Sequence, residues 1–177
     1  MSWLKAGTLQ VMRLLSEGQA PSRSWAPYVV TAAAVSAAAV AGAAAVDPNS
    51  TWYEHLEKPA FQPPPWAFGA VWTPLYASIA WAGGHALQQA RGRNRSALAA
   101  SLGVNLVLNT AWNWLFFRRQ SPKAGLVGTL LLDMSNIALI SRTAGADRAA
   151  ARALLPYAGW CAFATVLNGA IVRRNPA

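Results

Sequence analysis

Charge is what this sequence has least of. Only 12% of its 177 residues are charged, about half the share of an ordinary soluble domain. Six are acids: Glu17, Asp47, Glu54, Glu57, Asp133 and Asp147. They are scattered, and no acid–base pair, nucleophile constellation or metal cluster stands out among them. The single cysteine, Cys161, excludes an intrachain disulfide and any metal site built from several cysteines. The two histidines, His55 and His85, fall on different connections. An interfacial, neutral His85 is therefore preferred over a metal ligand.

What charge there is leans one way, with 15 Lys and Arg and a net charge of +9. The cations fall at successive boundaries of apolar runs: Arg91, Arg93 and Arg95; Arg118, Arg119 and Lys123; Arg142, Arg148 and Arg152; Arg173 and Arg174. A nucleic-acid surface would gather them on one face, so no nucleic-acid partner is expected. Flanking cations instead anchor and orient membrane helices, and the partner they imply is membrane lipid.

Hydrophobic residues make up 54% of the chain. Five runs are long and apolar: 25–46, 65–90, 96–117, 124–141 and 153–172. Crossing the hydrocarbon takes about 20 residues, with a range of roughly 17–25. Only helices satisfy their own backbone in lipid at that length. The expected fold is thus an all-α membrane protein, a five-transmembrane-helix bundle over residues 25–176. Residues 1–24 precede it either as an amphipathic surface helix or as a tail. They do not read as a signal peptide, since the apolar run that follows is too long and shows no clear cleavage site.

The bundle is organised around Trp52–Tyr76. Pro59, Pro63, Pro64 and Pro65 stiffen the connection 47–64, with Pro65 placed to start a helix. Pro74 lies inside that helix and is expected to kink it. Side-chain stripes then mark the helix faces. The first helix carries small residues at Ala33, Ala37, Ala41 and Ala45 and reads as packing material. The second carries Phe68, Trp72, Tyr76 and Ile79. The third carries Asn105, Asn109, Trp112 and Phe116. The fifth carries Trp160, Ala164, Leu167 and Asn168.

Asparagine in a membrane helix either bonds a neighbouring helix or lines a cavity. Asp133, the lone acid within a span, is either a functional carboxyl or one hydrogen-bonded to a neighbouring helix. Trp25, Trp66 and Trp114 fit an interfacial belt. Trp72, Trp112 and Trp160 lie deeper and suit the walls of a site for a large, flat ligand.

Three motifs carry a resemblance. WYxxLxKPxxxPPxWxFxxVWxxLY at 52–76, LNxxWxxLFF at 108–117 and PYxxWxxFATxLN at 156–168 are similar to the TspO/MBR family, the tryptophan-rich sensory proteins and translocator proteins. The resemblance spans roughly 25–176. It implies a five-helix bundle, commonly a homodimer, with no required cofactor. It also implies a pocket beneath the first loop for a tetrapyrrole such as porphyrin or haem. Carried over by position, the pocket residues are Tyr53, Pro63, Trp72, Asn105, Asn109, Trp112, Asp133, Trp160 and Ala164. Tyr53 and the prolines through Pro63 would roof it and Trp72 would wall it. Light-dependent porphyrin degradation by pocket tryptophans is the implied alternative to binding alone.

Two departures matter. The run ATVLNGAIVRRN lacks the tyrosine of the family's sterol motif, and Asn113 and Trp114 stand where animal members carry prolines. The first argues against sterol recognition; the second, with the Ala- and Arg-rich composition, points towards a bacterial membrane. Nine Lys and Arg fall on the side of the N-terminus and six on the other, so the N-terminus is expected to be cytoplasmic.

Overall fold

Proline and short polar residues set where the helices begin. A computed structural model describes residues 24–176; the reading of 1–24 as a tail or surface helix lies, apart from Ser24, outside the described residues. Helix α1 (Ala26–Ala43) starts with Pro27 in its first turn. Helix α2 (Thr51–His55) is capped by Ser50, whose hydroxyl accepts from the Tyr53 amide. Helix α3 (Pro65–Gln89) starts at Pro65, where a missing N–H costs nothing. Helix α4 (Gly92–Asn113) runs into a π-turn at Trp114–Arg118. Helix α5 (Pro122–Ala146) is capped by Ser121. Asp147 ends α5 and caps α6 (Arg148–Ala153), its Oδ1 accepting from the Ala150 amide at 2.7 Å. Helix α7 (Leu155–Arg174) closes the described chain.

All seven are α-helices, and the described residues include no strand. Five of them, α1, α3, α4, α5 and α7, have 18 residues or more. Three stretches combine the length and hydropathy needed to cross a membrane: Ala26–Ala43, Pro122–Ala146 and Arg148–Arg174. The sequence pattern of five apolar spans thus meets three that qualify on composition. Within its span α3 is diluted by Trp66, Trp72, Pro74, Tyr76 and Trp81, and α4 by Asn105, Asn109 and Asn113. The short helices α2 and α6 and the π-turn were not anticipated. Pro74 does not interrupt α3, which continues through it.

The long helices form a ring in which α1 packs on α3 and α4, α4 on α5, and α5 on α7. The α1 face that packs is Thr31, Val35, Ala38 and Gly42, while Ala33, Ala37 and Ala41 are exposed. The expected small-residue stripe was therefore the wrong one, apart from Ala45, which is buried. In a helix made largely of alanine every face is small, so the partner chooses the face. Here the partner is Gly83-Gly84 of α3. A methyl at Gly84 would stand 2.8 Å from the Tyr28 Cα, a backbone atom that cannot swing aside. Gly84→Val is expected to destabilise the bundle by about 1–3 kcal/mol, read as an earlier midpoint in detergent denaturation.

Polar contacts tie the same crossing. Thr31 Oγ1 donates to Ala80 O at 2.9 Å, and Tyr28 Oη pairs with His85 Nδ1 at 2.8 Å. His85 Nε2 lies 3.6 Å from Asp147 Oδ2, and Trp81 stacks on the imidazole. His85 thus serves as a cross-tie between α1, α3 and the α5–α6 junction. At the other end a smaller core of Leu56, Phe116, Leu167 and Ile171 fastens the 47–64 connection to the helix ends.

Candidate functional site

The roof of the site is held by its own polar groups. Gln62 Nε2 donates to Tyr53 Oη at 3.2 Å. Lys58 Nζ donates to the Tyr53 carbonyl and sits 4.3 Å over its ring. Burial pushes the Tyr53 phenol above its ordinary pKa of 10.0, with the Gln62 bond pulling the other way. Tyr53 is thus a neutral hydrogen-bonding group throughout the physiological range. Its ring packs on Phe117 at 5.4 Å and edge-on to Phe116 at 6.4 Å. A reciprocal amide clamp fixes the far side of the roof: the Glu57 amide donates to Asn175 Oδ1, and Asn175 Nδ2 donates to Glu57 O, both at 3.0 Å.

Beneath this roof lies a cavity of about 190 Å³. Tyr53 and Gln62 close it from above, Phe68 and Trp72 from α3, Trp112 from α4, Phe116 from the π-turn, and Leu167 and Asn168 from α7. A second, smaller void of about 30 Å³ lies deeper, among Asn109, Trp160, Cys161 and Ala164. Phe68, Trp72, Trp112 and Leu167 line both, so these four side chains are the partition between them. Trp72 stacks on Tyr76 at 5.1 Å, Trp112 on Phe116 at 5.5 Å, and Phe68 meets Trp160 edge-on at 6.0 Å.

The structure brings together six of the nine residues named from the sequence. Tyr53, Trp72 and Trp112 line the upper cavity; Asn109, Trp160 and Ala164 line the deeper one. Pro63, Asn105 and Asp133 line neither. Asn105 is fully buried one turn below Asn109. Asp133 points to the α5–α7 groove, where its Oδ2 accepts from Thr165 Oγ1 at 2.6 Å. Helical geometry explains the last case: Leu132 lines the deeper void, and the next residue is turned about 100° away.

Three polar atoms at the cavity are buried without a partner among the described residues. They are Gln62 Oε1, Trp112 Nε1 and Asn168 Oδ1. Asn168 Nδ2 is already given to Ala164 O at 2.8 Å, which fixes its amide and leaves the oxygen free. Buried polar groups are nearly always paired in native proteins, and an orphan costs about 1–3 kcal/mol. Two acceptors and one donor are thus left unpaired on side chains that line one aromatic cavity, each reached by a ligand only when the lining moves; a flat, polarisable body with both donors and acceptors at its edge would suit them.

Gln62, Phe117 and Asn175 were not named from the sequence, because their contacts depend on how the loop folds back and packs, over 9 residues for Gln62 with Tyr53 and 118 for Asn175 with Glu57. Asn168 was visible on its stripe but was not assigned to the site. The clamp makes a prediction. Asn175→Ala frees both Glu57 backbone groups, and ligand association and dissociation are each expected to speed up several-fold with little change in affinity, measured by stopped-flow absorbance.

The sequence profile of the TspO/MBR family matches residues 29–174. The chain is 41% identical over 131 residues to a tryptophan-rich protein TspO of Archaeoglobus fulgidus, covering 71% of this chain and 80% of the relative. It is 34% identical over 127 residues to the human translocator protein, with 70% and 75% covered. It is 30% identical over 151 residues to a tryptophan-rich sensory protein of Cereibacter sphaeroides, with 85% and 92% covered. With its all-helical fold and apolar helices, the chain belongs to the TspO/MBR family of sensory and translocator-type membrane proteins.

Proposed function

We propose that this protein is an integral membrane tetrapyrrole-binding protein of sensory or translocator type. Its five long helices span the bilayer, and a porphyrin or haem enters the aromatic cavity beneath Trp52–Pro65. The observation that carries the reading is the set of orphaned polar atoms on Gln62, Trp112 and Asn168 around that cavity. The indole N–H suits a propionate carboxylate, an amide oxygen suits the O–H of a protonated propionic acid group, and the Trp72 and Trp112 faces suit the macrocycle. The relatives named sensory protein and translocator protein support the same reading. The cation balance supports a cytoplasmic N-terminus, with the roof on the opposite side of the membrane.

Size adds a consequence. About 190 Å³ falls short of the roughly 300–1,000 Å³ of drug-sized sites. Joining the deeper void of about 30 Å³ across the shared partition would still leave the space too small, so a macrocycle is admitted only when the roof lifts. Binding is coupled to movement of the first loop, which is the form a sensory signal would take.

Titration of the purified protein with protoporphyrin IX in darkness tests the reading: a saturable shift of the porphyrin absorption band is expected. A linear, non-saturable change would overturn it. Repeating the titration under light separates binding from the degradative alternative, whose mark is loss of the band faster than in free porphyrin.

A further inference from the structure

A second cavity is larger than the aromatic one. At the opposite end of the bundle, between the α3–α4 turn and the end of α5, lies a polar cavity of about 370 Å³. Its polar lining is Gln89, Arg91, Asn94 and Arg142, over small residues that include Ala97 and Gly145. Arg91 Nη1 donates to Gln88 O at 2.6 Å and to Ala90 O at 3.2 Å, which holds the guanidinium in place with its other nitrogens uncommitted among the described residues. Arg142 makes no hydrogen bond or ion pair among the described residues. The side-chain amides of Gln89 and Asn94 are likewise open there.

Nothing described neutralises this site. Asp147 is the one carboxylate at this end among the described residues, and it is committed to the Ala150 amide and to His85. Two arginines from different elements, with amide donors between them and no counter-charge, make a receptor for a phosphate: guanidinium groups bind it in bidentate fashion. The helices that carry the cavity decide where the phosphate comes from. On the membrane side of it, α4 exposes Val104 and Val107, and α5 exposes Met134 and Ile137. A soluble phosphate has no use for that apolar surface; acyl chains do.

We propose that this cavity binds the headgroup phosphate of an anionic phospholipid, with the acyl chains running along α4 and α5. Basic pockets between membrane helices are suited to such headgroups. The site lies on the side assigned to the cytoplasm by its excess of cations, the leaflet that carries negative surface potential. It is independent of the aromatic cavity and of what that cavity binds.

The test uses the full chain in bilayer discs of phosphatidylcholine, with and without added phosphatidylglycerol. Two charge-matched double variants are compared: Arg91→Gln with Arg142→Gln inside the cavity, and Arg93→Gln with Arg95→Gln, whose exposed residues do not line it. The readouts are phosphatidylglycerol retained in native mass spectra and the gain in melting temperature over phosphatidylcholine alone, so that any intrinsic loss of stability cancels. The cavity pair is expected to weaken phosphatidylglycerol binding at least about 30-fold, through the loss of charge-assisted contacts from two guanidinium groups to one phosphate. The outer pair is expected to weaken it less than about threefold, because Arg93 and Arg95, exposed like Arg91 and Arg142, do not converge on the cavity. Equal losses in both pairs would reduce the effect to diffuse attraction and overturn the site. Inorganic phosphate stabilising the lipid-free protein in detergent as well as phosphatidylglycerol does would overturn the lipid assignment.

Discussion

Replacing Trp112 with phenylalanine is expected to lower protoporphyrin IX affinity about tenfold while leaving the free protein at least as stable. The two signs are opposite because the Trp112 N–H has no partner in the free protein. An unpaired buried donor costs about 1–3 kcal/mol, so its removal offsets the packing lost with the smaller ring. The stack on Phe116, at 5.5 Å and 18° between planes, survives in the phenylalanine variant. In the complex the same N–H meets a carboxylate, and hydrogen bonds to charged groups are worth about 1.5–3 kcal/mol. Adding Trp72→Leu removes the second ring face. A stacked aromatic contact is worth about 1–3 kcal/mol by truncation, which brings the combined loss to several hundredfold. Absorbance titration gives the affinity, and unfolding midpoints in detergent give the stability. A Trp112→Phe protein that binds as tightly as the parent would show that the indole N–H does not face the ligand. One that loses stability and affinity in parallel would make Trp112 a packing residue alone.

That contrast also shows which parts of the site could be read from residues alone. Trp72, Trp112 and Trp160 were legible because a large aromatic inside a membrane span is unusual, and helical spacing assigns each to a face. Asp133 was legible as an oddity, but one residue of rotation decides whether it faces a cavity or a groove. Its neighbour Leu132 lines the deeper void, and Asp133 bonds Thr165 instead. Pattern reading resolves a helix face to about a third of a turn, too coarse for that distinction. Helix α1 failed for a different reason: its alanines give no face a preference, and Gly84 of α3, 49 residues after Val35, selects the packed side. The roof was legible as stiff from its prolines. How it is fastened was not, since the Glu57–Asn175 clamp joins positions 118 residues apart.

The largest structural effect is expected at Asn105. Its side chain is fully buried and bonds three partners on two helices. Nδ2 donates to Asn136 Oδ1 at 2.8 Å and to Ser135 Oγ at 3.2 Å on α5, and Oδ1 accepts from Tyr157 Oη at 2.9 Å on α7. Tyr157 in turn accepts from Asn109 Nδ2 at 3.3 Å, and Asn109 Oδ1 accepts from Tyr76 Oη on α3. The chain of bonds therefore crosses four helices through two amides, Asn109 and Asn105, joined by the Tyr157 hydroxyl. Interhelical hydrogen bonds in membranes are worth about 0.6 kcal/mol on average and up to about 1.7. Asn105→Ala severs three of them and leaves the Tyr157 O–H without its acceptor, so a loss of about 2–3 kcal/mol is expected in reversible unfolding from mixed micelles. Tyr157→Phe is expected to cost about half as much, and the double variant less than the sum, because both break the same bond. Asn105 lines neither cavity, so tetrapyrrole affinity is expected to stay within about twofold of the parent under conditions where the variant is folded. A tenfold fall in affinity without a fall in stability would reverse the assignment, moving Asn105 from the frame of the pocket to its lining.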